Sequence, residues 1–179
     1  MEAKAKGVTQ KADDLFQTMI KRKSFTPDPK LWLNYATFLF DTLSTPDRGR
    51  ALQDRAMKSV PTHVHRDLVT KFAQLEFRCK NGDPERGRTI FEGLLDMYPK
   101  KWDLWDVLVE LEMQQGAKEQ VRRLFERMAQ AKMKRRRAKG VFKRWLEFEE
   151  READARNVEH VKAKAAEYVE MEKKASKER

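Results

Sequence analysis

Between Lys132 and Arg144 the sequence places eight basic residues and no acidic one: Lys132, Lys134, Arg135, Arg136, Arg137, Lys139, Lys143 and Arg144. Cations at this density attract phosphate oxygens and release condensed counterions on binding, so the contact they make is salt-dependent. Such contacts follow the backbone and do not specify bases. The chemistry expected of the segment is therefore RNA-backbone contact, with a solvated loop or a nuclear-import patch as the competing readings. The whole chain of 179 residues holds 39 Lys and Arg against 29 Asp and Glu, a net charge of +10. Outside the segment 31 basic residues face 29 acidic ones, so the excess is local, and nucleic acid is the first acidic partner to consider.

The other residue types capable of chemistry do not assemble into a site. Glu76, Glu112 and Glu149 recur about 36 residues apart, which suits one local job repeated in each module. The job expected is pairing with an Arg from another helix, such as Arg88 or Arg122. His63 and His65 flank Val64 but have no third ligand at a convincing spacing for a metal. His160 stands in a charged stretch, and Cys79 is the only cysteine, so no intramolecular disulfide or multi-cysteine zinc site forms. No Gly-rich phosphate loop, nucleophile motif or paired-His zinc motif occurs. The sequence predicts no enzyme, no metal, no cofactor and no small-molecule substrate. No run approaches 18 apolar residues, and no membrane contact is expected.

These residues are positioned by a repeat. LWLNYATFLF from Leu31, LVTKFAQLEF from Leu68, LWDVLVELEM from Leu104 and VFKRWLEFEE from Val141 align without gaps. Large apolar residues recur at spacings of three and four, which puts them on one helical stripe. Trp32, Tyr35 and Phe38 form it in the first segment, Phe72 and Leu75 in the second. Trp105, Leu108 and Leu111 form it in the third, Phe142, Trp145 and Phe148 in the fourth. These rings could stack bases, but their regular register assigns them to the core. A second series lies between: DDLFQTMI from Asp13, RALQDRAM from Arg50, RTIFEGLL from Arg88, RRLFERMA from Arg122, and a weaker KAKAAEYV from Lys162. The chain thus reads as a lone second helix followed by four helix pairs. That half repeat implies further repeats before residue 1.

Turn chemistry falls where the repeat needs it. Asp28-Pro29, Thr45-Pro46 and Asp83-Pro84 each offer an N-cap side chain before a Pro at the first helical position. Pro61 and Pro99 stop the helices before them, and Asn81-Gly82 and Gly116 mark turns. Short connections make neighbouring helices antiparallel. The fold class expected is all-α: a right-handed superhelical solenoid of about nine helices in antiparallel pairs. Residues 1–7 are expected to be an unordered start or a cut within a longer protein. Residues 8–172 form the array, and 173–179 a charged tail or frayed helix end.

The motif residues resemble half-a-tetratricopeptide (HAT) repeats, which are related to TPR repeats. Trp105, Leu108, Leu111 and Glu112 match the first HAT helix, and Arg122, Phe125, Glu126 and Arg127 the second. The first repeat departs, with Leu39 where Glu is expected and Gln53 in place of the aromatic. Longer stretches, among them KFAQLEF from Lys71, YPKKWDLW from Tyr98 and FKRWLEFEE from Phe142, resemble the C-terminal HAT domain of the ribosomal RNA processing protein five family, called programmed cell death protein eleven in animals. The likeness spans roughly residues 10 to 172. It implies a non-catalytic scaffold in the nucleolus, organising ribosome-assembly proteins, precursor rRNA and small nucleolar RNA during early processing in the small-subunit processome and large-subunit precursors. The alternative it leaves is a HAT scaffold of an mRNA splicing or 3′-end cleavage complex.

Overall fold

A computed structural model describes residues 2–177. Among them lie nine α-helices and no strand: α1 Glu2–Met19, α2 Pro29–Thr37, α3 Pro46–Ser59, α4 His65–Arg78, α5 Pro84–Met97, α6 Trp102–Gln114, α7 Lys118–Gln130, α8 Arg135–Arg151 and α9 Ala155–Lys177. A π-helical turn, Phe38–Thr42, extends α2. The chain divides into two compact units, residues 1–111 and 112–179, the division falling inside α6.

Helix α1 already begins at Glu2, where an unordered start over residues 1–7 is expected from the sequence. The run Ala3-Lys4-Ala5-Lys6 consists of strong helix formers with no proline to stop them. At the other end α9 reaches Lys177, so residues 173–177 of the expected tail are helical. Met1, Glu178 and Arg179 lie outside the described residues.

Capping follows the sequence at two of three places. The Asp28 carboxylate accepts from the Lys30 amide at 2.9 Å, and Asp83 accepts from the amides of Glu85 and Arg86 at 3.0 and 3.4 Å. Thr45 does not cap α3. Its hydroxyl instead donates to the Leu39 carbonyl at 3.4 Å, the same carbonyl that accepts from the Thr45 amide at 2.8 Å. Gly116 ends α6 at φ +69°, a left-handed conformation that favours glycine.

In the first unit α2 packs on α3 and α4 on α5 as helical hairpins, with α3 also against α4. Trp32, Tyr35, Phe72, Trp105, Leu108 and Leu111 are all buried. Two indoles anchor to the loop that starts their own helix: Trp32 Nε1 donates to the Thr26 carbonyl at 2.8 Å and Trp105 Nε1 to the Pro99 carbonyl at 3.2 Å. Phe38 and Leu75 are only half-buried, a departure from the stripe. In the first repeat the π turn inserts a residue and rotates Leu39 and Phe40 inward. In the second, Glu76 and Phe77 turn inward beside Leu75.

Phe40 and Phe77 serve a purpose the stripe does not predict. A Cβ on Gly49 would stand 2.6 Å from the Phe40 ring, and one on Gly87 would stand 2.7 Å from the Phe77 ring. Each glycine lies three residues after the proline that opens its helix. In both hairpins the start of the second helix therefore rests directly on an aromatic ring at the end of the first, which requires the two helices to run antiparallel.

The second unit repeats the arrangement with α7 against α8 and α8 against α9. Phe142, Trp145 and Phe148 are buried. Phe125 stacks on Trp145 with centroids 5.8 Å apart and planes 10° from parallel.

Candidate nucleic-acid interface

The repeated carboxylates are buried, with Glu76 3% exposed and Glu112 and Glu149 fully covered. A buried carboxylate needs a cation and hydrogen bonds to offset its desolvation. Arg50 of α3 supplies both to Glu76, with Nε donating to Oε1 at 2.8 Å and Nη2 to Oε2 at 2.9 Å. The amide of Asp83 donates to Oε2 as well, at 2.9 Å. Arg122 of α7 repeats the fork on Glu149 of α8, through Nε to Oε1 at 3.0 Å and Nη2 to Oε2 at 2.8 Å. Trp145 Nε1 adds a 3.2 Å bond to Glu149 Oε1. In both cases the arginine of a second helix grips the glutamate of the first helix that follows it. An acid three residues earlier steadies the arginine: Asp47 for Arg50 at 2.9 Å and Glu119 for Arg122 at 2.7 Å. Glu85 stands likewise 2.7 Å from Arg88.

The departure at Leu39 is matched by a second one in α1. In the repeat alignment Asp13 takes the place of Arg50, Arg88 and Arg122, while Leu39 takes that of Glu76, Glu112 and Glu149. Asp13 is buried and finds other partners. It accepts from the Tyr35 hydroxyl at 2.7 Å and from Arg48 Nη2 at 2.9 Å. Gln17 donates to the same hydroxyl at 2.6 Å. Burial and the Asp13 carboxylate push the Tyr35 phenol up to about 12.

Other groups singled out in the sequence have structural partners. His160, which seems isolated in sequence, meets Glu126 through Nε2 and sets its ring edge-on to Trp145 at 5.8 Å. His65 Nε2 lies 3.2 Å from the Val60 carbonyl. Burial pushes the Cys79 thiol up to about 12, with Asp41 adding to the effect, so it is not a thiolate at neutral pH. Among the described residues no three His, Cys, Asp or Glu side chains converge.

The basic segment differs from all of these. Lys132, Lys134, Arg135, Arg136, Lys139 and Lys143 are exposed, and Arg137 and Arg144 are half-buried. Lys132 to Lys134 connect α7 to α8. Arg135, Arg136 and Arg137 form the first turn of α8, and Lys139 and Lys143 continue along it. Lys143 has Glu147 one turn away at 3.6 Å. The first turn of a helix carries partial positive charge, and cations there are unfavourable. Helices α3 to α7 each place an acidic residue in that turn, namely Asp47, Asp67, Glu85, Asp103 and Glu119. Helix α8 places three arginines there and no acid, and Lys134 at its N-cap offers no side-chain acceptor. The macrodipole of α8 therefore disfavours this choice, unlike the acids that open α3 to α7.

Beside these cations runs a groove of about 680 Å³ between α8 and α9. Ala138, Phe142, Ala165, Tyr168 and Val169 line its floor, and Arg135, Arg136 and Lys139 its rim. Tyr168 is held in place by a 3.0 Å hydrogen bond from its hydroxyl to the Met133 carbonyl.

The chain matches the model of the suppressor of forked protein (Suf) family over residues 50–178. It is 45% identical over 163 residues to "rRNA biogenesis protein rrp5" of Schizosaccharomyces pombe, covering 91% of this chain and 9% of that protein. "Protein RRP5 homolog" of Mus musculus is 37% identical over 166 residues, 93% of this chain and 9% of that protein. "rRNA biogenesis protein RRP5" of Arabidopsis thaliana is 36% identical over 159 residues, 88% of this chain and 8% of that protein. The chain spans about a tenth of the length of these relatives.

Proposed function

The chain belongs to the Suf family of HAT-like repeat domains, in the form carried by the RRP5 proteins, and from that premise we propose that it is a non-catalytic scaffold of ribosome biogenesis. It organises ribosome-assembly proteins and precursor rRNA in the nucleolus, and its basic segment, Lys132 to Arg144, touches RNA backbone. Relatives from a fungus and a plant carry names for rRNA biogenesis, and this supports a precursor-ribosome setting over an mRNA-processing one.

The observation that carries the reading is how the reactive side chains are used. The recurrent glutamates and the aromatic stripe are taken up in packing and buried ion pairs. What remains for a partner is surface, and its most distinctive part is a cation cluster set against the dipole of its own helix. Arginines and lysines so placed suit phosphate contact without base readout.

The test is crosslinking of the chain within purified precursor ribosomes, reading RNA and protein neighbours together. The expected result is RNA crosslinks concentrated at residues 132–144, with ribosome-assembly proteins on the other helices. Crosslinks to messenger-RNA factors, or RNA crosslinks only outside the segment, would overturn it.

A further inference from the structure

Helix α9 repeats the pattern by which α3 and α7 receive their successors. In α3 and α7 the receiving cation is Arg50 or Arg122, steadied by an acid three residues earlier, and it grips a glutamate of the following first helix. In α9 the aligned position is Lys162, and Glu159 stands three residues earlier at 2.8 Å. The Lys162 side chain is 54% exposed, whereas those of Arg50 and Arg122 are 22% and 20% exposed. Lys162, Ala165 and Val169 share one face of α9 by their spacing of three and four. The same face of α7, at Arg122 and Phe125, is the one that receives α8. Ala165 and Val169 line the groove beside α8, and Val169 is 45% exposed.

We propose that the α8/α9 groove is a docking site for an acidic amphipathic helix of a protein partner. That helix sits as a further first helix would, with a carboxylate on Lys162, apolar side chains on Ala138, Ala165 and Val169, and acidic flanks facing Arg135, Arg136 and Lys139. Charge complementarity sets the sign of the partner, since the rim holds three cations and Lys162 adds a fourth. The floor sets its class. Ala138, Ala165 and Val169 are aliphatic, Phe142 is buried, and the one half-buried ring, Tyr168, is tied by its hydroxyl to the Met133 carbonyl, so the groove offers mainly aliphatic sockets rather than a row of open rings on which bases could stack. This inference goes beyond the RNA reading, which also uses Lys132, Lys134 and Lys143, outside the groove.

The chain contains a suitable probe in its own α6. Residues 102–114 carry Asp103, Asp106, Glu110 and Glu112 with no basic residue, and Glu112 occupies the register of Glu76 and Glu149. A fluorescently labelled peptide of these residues is titrated with the full chain and read by anisotropy. The expected result is saturable binding that weakens by roughly tenfold for Lys162→Glu and for Val169→Asp. The Lys162→Glu loss should be restored when the peptide carries Glu112→Lys. Both substituted positions are exposed, and an unchanged circular-dichroism melt verifies the fold. Lys132→Glu/Lys134→Glu should weaken a single-stranded RNA oligonucleotide but leave the peptide unaffected, which separates failure here from failure of the RNA reading. No saturable binding, or binding indifferent to Lys162 and Val169, overturns the proposal. So does RNA affinity that falls with Val169→Asp while the peptide does not bind, which would give the groove to nucleic acid. A concentration-dependent dimer abolished by Val169→Asp would give it to a second copy.

Discussion

Arg50 holds both carboxylate oxygens of Glu76 across the gap between one helix pair and the next, and Arg122 holds Glu149 in the same way. The glutamates are 3% and 1% exposed at the side chain, so each fork joins successive repeats through a nearly dry contact.

Removing one partner should therefore be costly. Arg122→Met leaves a buried carboxylate without its cation and should destabilise by about 3–5 kcal/mol in a denaturant melt. The double variant Arg122→Met/Glu149→Gln keeps an acceptor for the Trp145 indole and removes the orphaned charge. Its loss should be markedly smaller than that of the single variant. Equal losses would show that the arginine acts through packing alone.

The glycine contacts predict steric failure where ordinary helix propensity predicts gain. Alanine in a helix interior usually stabilises relative to glycine by up to about 1 kcal/mol. At Gly87 the added methyl would meet the Phe77 ring at 2.7 Å and the Ala73 carbonyl at 3.0 Å. Gly87→Val should lower stability by about 1–3 kcal/mol, while Gly93→Ala, which has nothing within 4 Å, should not. Thermal melts of the two variants decide the matter.

Trp105 is 6% exposed and its indole is hydrogen-bonded to the Pro99 carbonyl. Trp105→Ala should cost roughly 3–5 kcal/mol in a chemical melt. An unchanged midpoint would remove this ring from the core.

Alkaline pH should weaken the fold through two buried groups. Cys79 and Tyr35 both have their folded values raised to about 12, from ordinary values of 9.0 and 10.0. The unfolded chain thus loses these protons first, and the folded state falls behind as pH rises. Their contribution is intact below about pH 9 and is lost between there and about pH 12, at up to about 1.4 kcal/mol per pH unit for each group. Denaturant midpoints at pH 8 and 10.5 test this. Cys79→Ala should flatten the part of the slope that begins near pH 9.

Arg135→Glu/Arg136→Glu should separate binding from folding. Acids in place of arginines suit the positive end of α8, so stability should hold or rise by about 0.3–1 kcal/mol per residue. Affinity for single-stranded RNA should fall. If five of the eight cations meet phosphates, the wild-type slope of log affinity against log salt is roughly −3.5, and the variant should be shallower. A filter-binding series over salt reads both.

The helix pairs were legible in the sequence because two periodicities coincide, a spacing of three and four within each segment and about 37 between segments. The glutamates were legible as structural for the same reason, although the partner of Glu76 is Arg50, which the motif itself leaves unnamed. What escaped was tertiary. The rotation of Phe38 outward depends on a π turn that no local pattern encodes. The seats of Phe40 and Phe77 were hinted at only by two glycines in the same register. His160 looked solitary because its partners, Glu126 and Trp145, come from two other helices. The basic segment was plain as composition, but its conflict with the α8 dipole emerged only once the helix start was fixed at Arg135.

The exchange of Asp13 for arginine and Leu39 for glutamate also bears on how the array avoids assembling out of order. Near-identical modules risk pairing with the wrong neighbour as they fold. Were α1 to receive α4 instead of α2, Asp13 would confront Glu76 and two buried acids would repel. Were α3 to receive α2, Arg50 would find the hydrocarbon of Leu39. Both misplaced pairings thus lose the ion pair that the native neighbour supplies, and the first repeat is marked apart from those that follow it.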